Sequence, residues 1–440
     1  MSSVSDPSPQ SSADEQVQPM LKGLKEFWHL PRNVYLLLFF TLGKGFQLSI
    51  AALTLNYYVH SIGYLPDFIG IFSAMSAIGA MIGAVPVGML ADRWGRKPVL
   101  LLTAILSPLS LAALALATSA PWLIIMNLLQ GLVSTAYWVT NLPLLTESTT
   151  EKQRVGVLAL NSFLLLGVGS LGNLLGGFIP EFVGGLLHVS AASTLALRYG
   201  VFAAASFTFI FGLPLWLLHE SRGAPAPEPD ELLAAEGVAP APSRKSRPVG
   251  LFLKLLIPDL VFTMGEGAVV ALIQVYFVLR FNLLPGPLGI IFTISGLAGG
   301  IFSLTAPLFV RRWSKLRLVT TVQYLSAPLM VLIGFAPTLP LAITGEYARS
   351  FMRTLIEPVY AAFAMEQVSN RQRATLAGLY SVTWSIGFSV GPAIAGWLQT
   401  SISLSASFVY GAFCLLLAPT FLLLFFGRKD TAPHGVRDVR

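Results

Sequence analysis

Residues 88–97 read Gly88-Met89-Leu90-Ala91-Asp92-Arg93-Trp94-Gly95-Arg96-Lys97 and stand between two long apolar runs. The two glycines permit a tight turn and a close approach of the flanking segments. Asp92 among Arg93, Arg96 and Lys97 makes a compact charged cluster able to form strong, charge-assisted contacts. A loop that needed only positive charge would need only its bases. It would not call for Gly88, Asp92 and Gly95 at this spacing.

The runs on either side belong to a longer series. Hydrophobic residues make up 54% of the chain and charged residues 11%, whereas a soluble domain is about a quarter charged. A hydrocarbon core roughly 30 Å thick is crossed by about 20 apolar helical residues. Twelve stretches of that length occur, near 33–60, 66–91, 98–118, 121–146, 153–183, 197–219, 251–281, 286–311, 316–337, 338–366, 371–400 and 404–427. These are spans 1 to 12. Internal Gly and Pro do not argue against helices, since membrane helices tolerate both, and the alternating pattern of a barrel is absent. The expected fold class is an all-α membrane protein.

Basic residues divide unevenly between the connections. Those after even-numbered spans hold Arg93, Arg96, Lys97, Lys152, Arg154, Arg222, Arg244, Lys245, Arg247, Arg311, Arg312, Lys315, Arg317, Arg371 and Arg373, while the opposite connections hold only Arg198 and Arg280, at helix ends. The positive-inside rule therefore puts both termini and the middle loop in the cytoplasm. The net charge of +7 is accounted for by topology. No basic cluster with interleaved aromatics suggests nucleic acid. Residues 1–20 lack an apolar core of the kind a cleaved signal needs, so span 1 is expected to direct insertion. Cys414 is the only cysteine, which excludes an intrachain disulfide and a cysteine-based metal site.

The chain repeats itself. A shift of 219 places Gly70 on Gly289, Arg93-Trp94 on Arg312-Trp313, Glu147 on Glu366, Gln153-Arg154 on Gln372-Arg373, Gly172 on Gly391 and Gly177 on Gly396. With three more residues of offset, Gly43-Lys44-Gly45 meets Gly265-Glu266-Gly267. Six spans separate the copies, so both halves point the same way and a site between them is expected. The expected organisation is a cytoplasmic tail at 1–32, a six-helix bundle at 33–219, a Pro/Ala-rich linker at 220–250, a second bundle at 251–427 and a tail at 428–440.

In the loop between spans 2 and 3 the chain resembles the major facilitator superfamily, whose signature there is G-x-L-x-D-R-x-G-R-[KR]; every specified position matches. The resemblance covers about residues 33–427. It implies a transporter in which spans 1, 4, 7 and 10 surround a central cavity. It also implies a cytoplasmic gate of Gly88, Asp92, Arg93, Gly95, Arg96, Glu147 and Arg154, with Glu366 and Arg373 as repeat counterparts. In that gate Asp92 sits against the amino end of span 11 and Arg96 pairs with Glu147 while the cytoplasmic side is shut. The second copy, Pro307 to Lys315, lacks the acid and the glycines, which implies an asymmetric gate. Two family patterns are altered. Span 4 has Asn127-x-x-Gln130-Gly131 where the family's R-x-x-Q-G would place arginine, and the glycines of span 5 include Asn173 where an antiporter signature has proline. The glycines of spans 5 and 11 suit close packing as well as they suit that signature.

Ionisable groups inside a span cost about 2.5–3.5 kcal/mol on insertion scales and so are functional candidates. Lys44, Glu266, Glu346, Arg349, Arg353 and Glu357 qualify. The four in span 10 fall on one helical face. Their counterparts in span 4 are Asn127, Gln130, Ser134 and Trp138, with Asn141 a turn beyond. Two accounts stand side by side. Either Arg349 and Arg353 attract an anionic or zwitterionic solute while Glu266, or next Glu346, carries a coupling proton, or Lys44 with Glu266 and the span 10 arginines with their own acids neutralise one another. The histidines lie in tails, loops or helix ends, leaving a carboxylate to carry any proton.

The functional expectation is a secondary active transporter working by alternating access, with proton-coupled efflux of amphipathic compounds as the leading form. Proton-coupled uptake of an anionic metabolite is the alternative, and a non-transporting membrane sensor or scaffold is the alternative of another class. No catalytic, metal or nucleotide motif is found, so no enzyme activity and no cofactor are expected. The expected partners are a small solute, a proton or other coupling ion and the bilayer. The expected form is a monomer in the plasma (inner) membrane.

Overall fold

The structure, a computed structural model, describes residues 30–219, 248–303, 309–310 and 313–427. The tails at 1–29 and 428–440, the linker at 220–247, and Arg222, Arg244, Lys245, Arg247, Pro307, Arg311 and Arg312 lie outside the described residues, as do the side chains of Lys152 and Arg371.

The described chain is helical throughout. The helices are α1 (Arg32–Ser61), α2 (Pro66–Trp94), α3 (Arg96–Leu116), α4 (Ala120–Glu147), α5 (Glu151–Ser162 continuing to Gly172–Leu187), α6 (Thr194–Gly212), α7 (Pro248–Val270 continuing as Ile273–Phe281), α8 (Pro285–Ser303), α9 (Lys315–Phe335), α10 (Leu339–Glu366), α11 (Asn370–Ser401) and α12 (Ala406–Phe426). Ten segments are long and apolar enough to cross a membrane. The two helices that miss that threshold, α10 and α11, are as long as the rest but carry the charges and hydroxyls discussed below. Proline fits the first turn of α2, α4 and α10, where its missing N–H would be unpaired anyway. Gly95, at φ 95°, makes the corner between α2 and α3, a conformation open to glycine and strained for other residues.

Two helices are broken where they meet neighbours. In α5 a wide turn at Phe163–Gly167 and a tight one at Val168–Leu171 interrupt the helix, and Gly45 of α1 lies so close that a Cβ on Gly169 would stand 2.7 Å from its Cα. In α7 the break at Ala271–Leu272 frees the carbonyl of Ala271, which accepts from Asn56 Nδ2 of α1 at 2.8 Å. A membrane interior offers no water to such a carbonyl, so a partner from a facing helix replaces it.

The two halves meet tightly at one end and part at the other. At the end holding the α1–α2 and α11–α12 turns, a single apolar core runs across both halves, from Tyr57, Tyr58, Ile69 and Phe72 to Tyr276, Phe277, Ala395 and Phe408. At the opposite end each half has its own core. One is built on Leu37, Phe40, Leu100, Leu144 and Leu215, the other on Leu255, Val319, Leu355, Val359 and Leu422. Glycine spacing follows the same gradient. A Cβ on Gly70 would lie 2.2 Å from the Pro392 carbonyl oxygen and one on Gly396 2.2 Å from that of Pro66, so α2 and α11 touch backbone to backbone there. Nearer the residue 88–97 loop, Gly88 of α2 and Gly378 of α11 face open space. The helices diverge toward the charged loop.

Candidate functional site

The buried charges gather in the second half of the chain. Arg349, on the inner face of α10 and 3% exposed, donates from Nε and Nη2 to Glu346 at 2.9 and 3.0 Å and from Nη1 to Glu266 of α7 at 2.9 Å. One turn on, Arg353 Nε lies 3.5 Å from the same Glu266 oxygen, with about a third of its side chain exposed. A guanidinium shared by two carboxylates satisfies its fork in fixed geometry. Breaking such a pair by removing one member costs about 3–5 kcal/mol, because a buried charge is left alone. The cluster therefore ties α7 to α10, and Arg349 is not among the residues lining the cavity beside it.

Beside it opens a cavity of about 110 Å³ on which α7, α9, α10, α11 and α12 all border. Its walls combine Asp259, Glu266, Arg353 and Glu357 with Phe262, Tyr360, Trp384 and Phe388. Asp259 was not among the residues singled out from the sequence. It is 8% exposed, and its Oδ2 accepts from the Thr383 hydroxyl of α11. Its signal was available, since it is an acid inside span 7 by the same criterion that selected Glu266. Glu181 is a second omission of the same kind. It lies in the last turns of α5, and its Oε1 accepts from the backbone N–H of Gly286 at the start of α8 at 3.0 Å.

The polar stripe of α4 is placed differently. Asn127 Nδ2 donates to the Phe72 carbonyl of α2 at 2.5 Å. Gln130 accepts from Ser110 and donates to Ser107 of α3 at 3.1 Å. Asn141 Nδ2 donates to Thr41 of α1 at 3.3 Å and to Asn161 of α5 at 3.1 Å. These groups bond α4 to its own neighbours, and none of them borders the cavity among α7 and α9–α12. Trp138 is exposed and stacks edge-on with the buried Tyr137. Lys44 is fully buried and donates to Ser134 Oγ at 3.3 Å, with its ammonium 6.0 Å from the Tyr137 ring. It does not meet Glu266, which is taken up by the two arginines. Among the described residues Lys44 has no acidic partner.

At the parted end, Arg96 is ion-paired with Glu147, a contact expected with the cytoplasmic side shut but made within the first half and present here with that end open, and Lys315 is ion-paired with Glu366. The shift of 219 carries one pair onto the other, so the repeat preserves a link from the start of the third helix of each half to the end of the fourth. All four side chains are part-exposed, and each pair contributes about 0–1 kcal/mol. Asp92 and Arg93 are exposed, and among the described residues Asp92 makes no ion pair. Arg154 is exposed, and Arg373 Nε donates to the Met365 carbonyl at 3.2 Å. Gly88, one turn before Asp92, faces open space.

The arrangement is a pair of like-oriented bundles, fused at one end and separated at the other, with a charge- and aromatic-lined cavity whose lining residues all belong to the second half, not to both halves as expected from the repeat. Solved structures share the fold. A bacterial homolog of the human lysosomal transporter Spinster, in an inward-facing and occupied conformation, superposes with a TM-score of 0.70 at 14% identity, over 89% of this chain and 95% of that one. A D-xylose–proton symporter gives 0.68 at 16% identity, over 88% and 96%. Local sequence similarity extends to solute carrier family 22 member 2 of Mus musculus, 40% identical over 77 residues, which are 18% of this chain and 14% of the carrier. The multi-drug resistance efflux pump PmrA of Streptococcus pneumoniae serotype 4 is 28% identical over 174 residues, 38% of this chain and 41% of the pump. The chain thus spans less than half the length of either relative. A profile of the Major Facilitator Superfamily, in contrast, matches residues 35–348 and 260–440. Covering nearly the whole chain, that match agrees with the loop signature, the parallel repeat and the helical architecture, and the protein belongs to the Major Facilitator Superfamily.

Proposed function

We propose that the protein is a secondary active transporter that exports amphipathic organic solutes in exchange for protons, with the halves 33–219 and 251–427 rocking about the cavity. The observation that carries the reading is the gradient between the halves. A shared core and glycine contacts close one end, while separate cores and open glycines leave the other accessible. The positive-inside pattern identifies the open end as cytoplasmic, so this conformation is inward-facing, with both termini in the cytoplasm. Solute entering from that side meets Phe262, Tyr360, Trp384 and Phe388 with acids between them. Aromatic faces with nearby carboxylates suit a solute that is apolar over most of its surface. We assign it to the plasma membrane as a monomer.

The test is purified protein in liposomes with an imposed pH gradient. Tetraphenylphosphonium, an amphipathic cation, should move against its own gradient when protons flow the other way and stop when the gradient is collapsed. Movement indifferent to the pH gradient would reject proton coupling, and no movement of any amphipathic probe would reject efflux. Uptake of an anionic metabolite is the second reading, favoured by Arg353, whose partly exposed guanidinium borders the cavity. A monocarboxylate accumulated with protons in the same vesicles would select it.

A further inference from the structure

We infer that Asp259 is the proton-binding site on which coupling rests, taking up one proton per cycle, and that Glu266 and Glu346 are not. The transport reading above supplies the consequence, coupling, while the location of the site stands on geometry alone.

Charge matching is the first argument. Both guanidiniums of the cluster are committed to Glu266 and Glu346. Each of those carboxylates already has its counter-charge. Asp259 is buried against a hydroxyl, and among the described residues it has no guanidinium or ammonium in ion-pair reach. Taken together, the buried and half-buried Asp259, Glu266, Glu346, Arg349 and Arg353 place three carboxylates against two guanidiniums, with Glu357 exposed at the edge of the cavity. A single proton makes that set neutral, and an interior of low dielectric strongly favours neutrality. The group that lacks a partner is where the proton belongs.

Surroundings make the second argument. From its own helix, Glu266 borders the same cavity as Asp259. Arg353, Glu357 and Tyr360 face it from α10, Gln323 from α9 and Leu422 from α12. Thr383 and Tyr380 come from α11, with the Tyr380 hydroxyl donating to Tyr360 at 3.4 Å. Only Arg353 among these is cationic, and it lies against Glu266. Lys44, the other buried charge without an ionic partner, is hydrogen-bonded to Ser134 in the other half. Position makes the third argument. Asp259 precedes Glu266 by two helical turns, roughly 10 Å along α7 on the side of the parted end, so water from that end reaches it before it reaches the ion-paired cluster. Its hydrogen bond to Thr383 also joins α7 to α11, the helix that packs on α2 of the other half at the closed end. A change of charge at Asp259 thus acts on a contact within the moving parts.

The experiment is infrared difference spectroscopy of the full chain in lipid between about pH 5 and about pH 9, a window above the titration of exposed carboxylates near 4. Wild type should gain one carboxylic-acid C=O band at the acid end. Asp259→Asn should lose it, and Glu357→Gln, an exposed acid outside the buried set, should keep it. A band that survives Asp259→Asn, or none in wild type, overturns the assignment. If the asparagine variant does not fold, Asp259→Glu serves instead. It should keep a band at a shifted frequency, and an unshifted band is a contrary result. The coupling arm uses tetraphenylphosphonium in liposomes, where Asp259→Asn should lose proton-driven accumulation at least tenfold; undiminished accumulation also overturns it. If wild type moves no probe, the transport reading fails while the infrared result still decides where the proton binds.

Discussion

Glu181 Oε1 accepts a 3.0 Å hydrogen bond from the backbone N–H of Gly286 and so joins the last turns of α5, in one half, to the first turn of α8, in the other. A carboxylate at a helix amino end meets unpaired N–H groups and the positive end of the helix dipole. Such a charge-assisted bond contributes about 1.5–3 kcal/mol. It bridges the two halves at the end opposite the charged loop, so parting that end would break it.

Glu181→Ala should therefore shift the balance toward the state open at that end by roughly tenfold or more. Spin labels on the exposed Leu187 and Leu284 would read it as a new population at longer distance. An unchanged distance distribution would show that the bond does not contribute to closure.

Gly70→Val should act in the same direction, since even a Cβ would lie 2.2 Å from the Pro392 carbonyl oxygen. Overpacking of this kind costs about 1–3 kcal/mol, and separating α2 from α11 relieves it. Gly88→Ala, with nothing within reach of its Cβ, should leave the inward-facing state unaltered. Thermal unfolding in detergent separates the two; equal losses would contradict the contact gradient.

Arg349→Met should lower stability by about 3–5 kcal/mol, because it strands Glu346 and leaves Glu266 with the part-exposed Arg353 alone. Adding Glu266→Gln and Glu346→Gln should restore most of the loss. A triple variant no more stable than the single one would mean the cluster is not a mutually neutralising unit.

Lys44→Met should raise the unfolding temperature, since a fully buried ammonium with one hydroxyl partner is exchanged for an apolar chain of similar length. A lowered unfolding temperature would point to a partner for Lys44 formed in the stable state.

The sequence made much of the site legible, and its omissions were specific. Charge inside an apolar run marked Glu266, Glu346, Arg349 and Arg353, and the three- and four-residue spacing put the α10 set on one face. The same rule applied to Asp259 and Glu181 would have found both. Pairing was legible only in part, since Arg349 does pair with the Glu346 of its own helix. Lys44 and Glu266 occupy matched places in the repeat, yet a guanidinium with two donor edges reaches Glu266 from α10, and Lys44 turns to Ser134. The stripe on α4 could not be told from a cavity wall, because Asn and Gln satisfy a neighbouring helix as readily as a solute.

By itself the sequence determined the membrane-spanning helices, the duplicated halves and their common direction, because hydrocarbon thickness and the distribution of charge act on each segment locally. Tertiary structure decided which carboxylates have partners, where the cavity lies and which end is closed. Those depend on distances between helices far apart in the chain, and at Gly70 and Pro392 or Asp259 and Thr383 a few ångströms separate contact from open space.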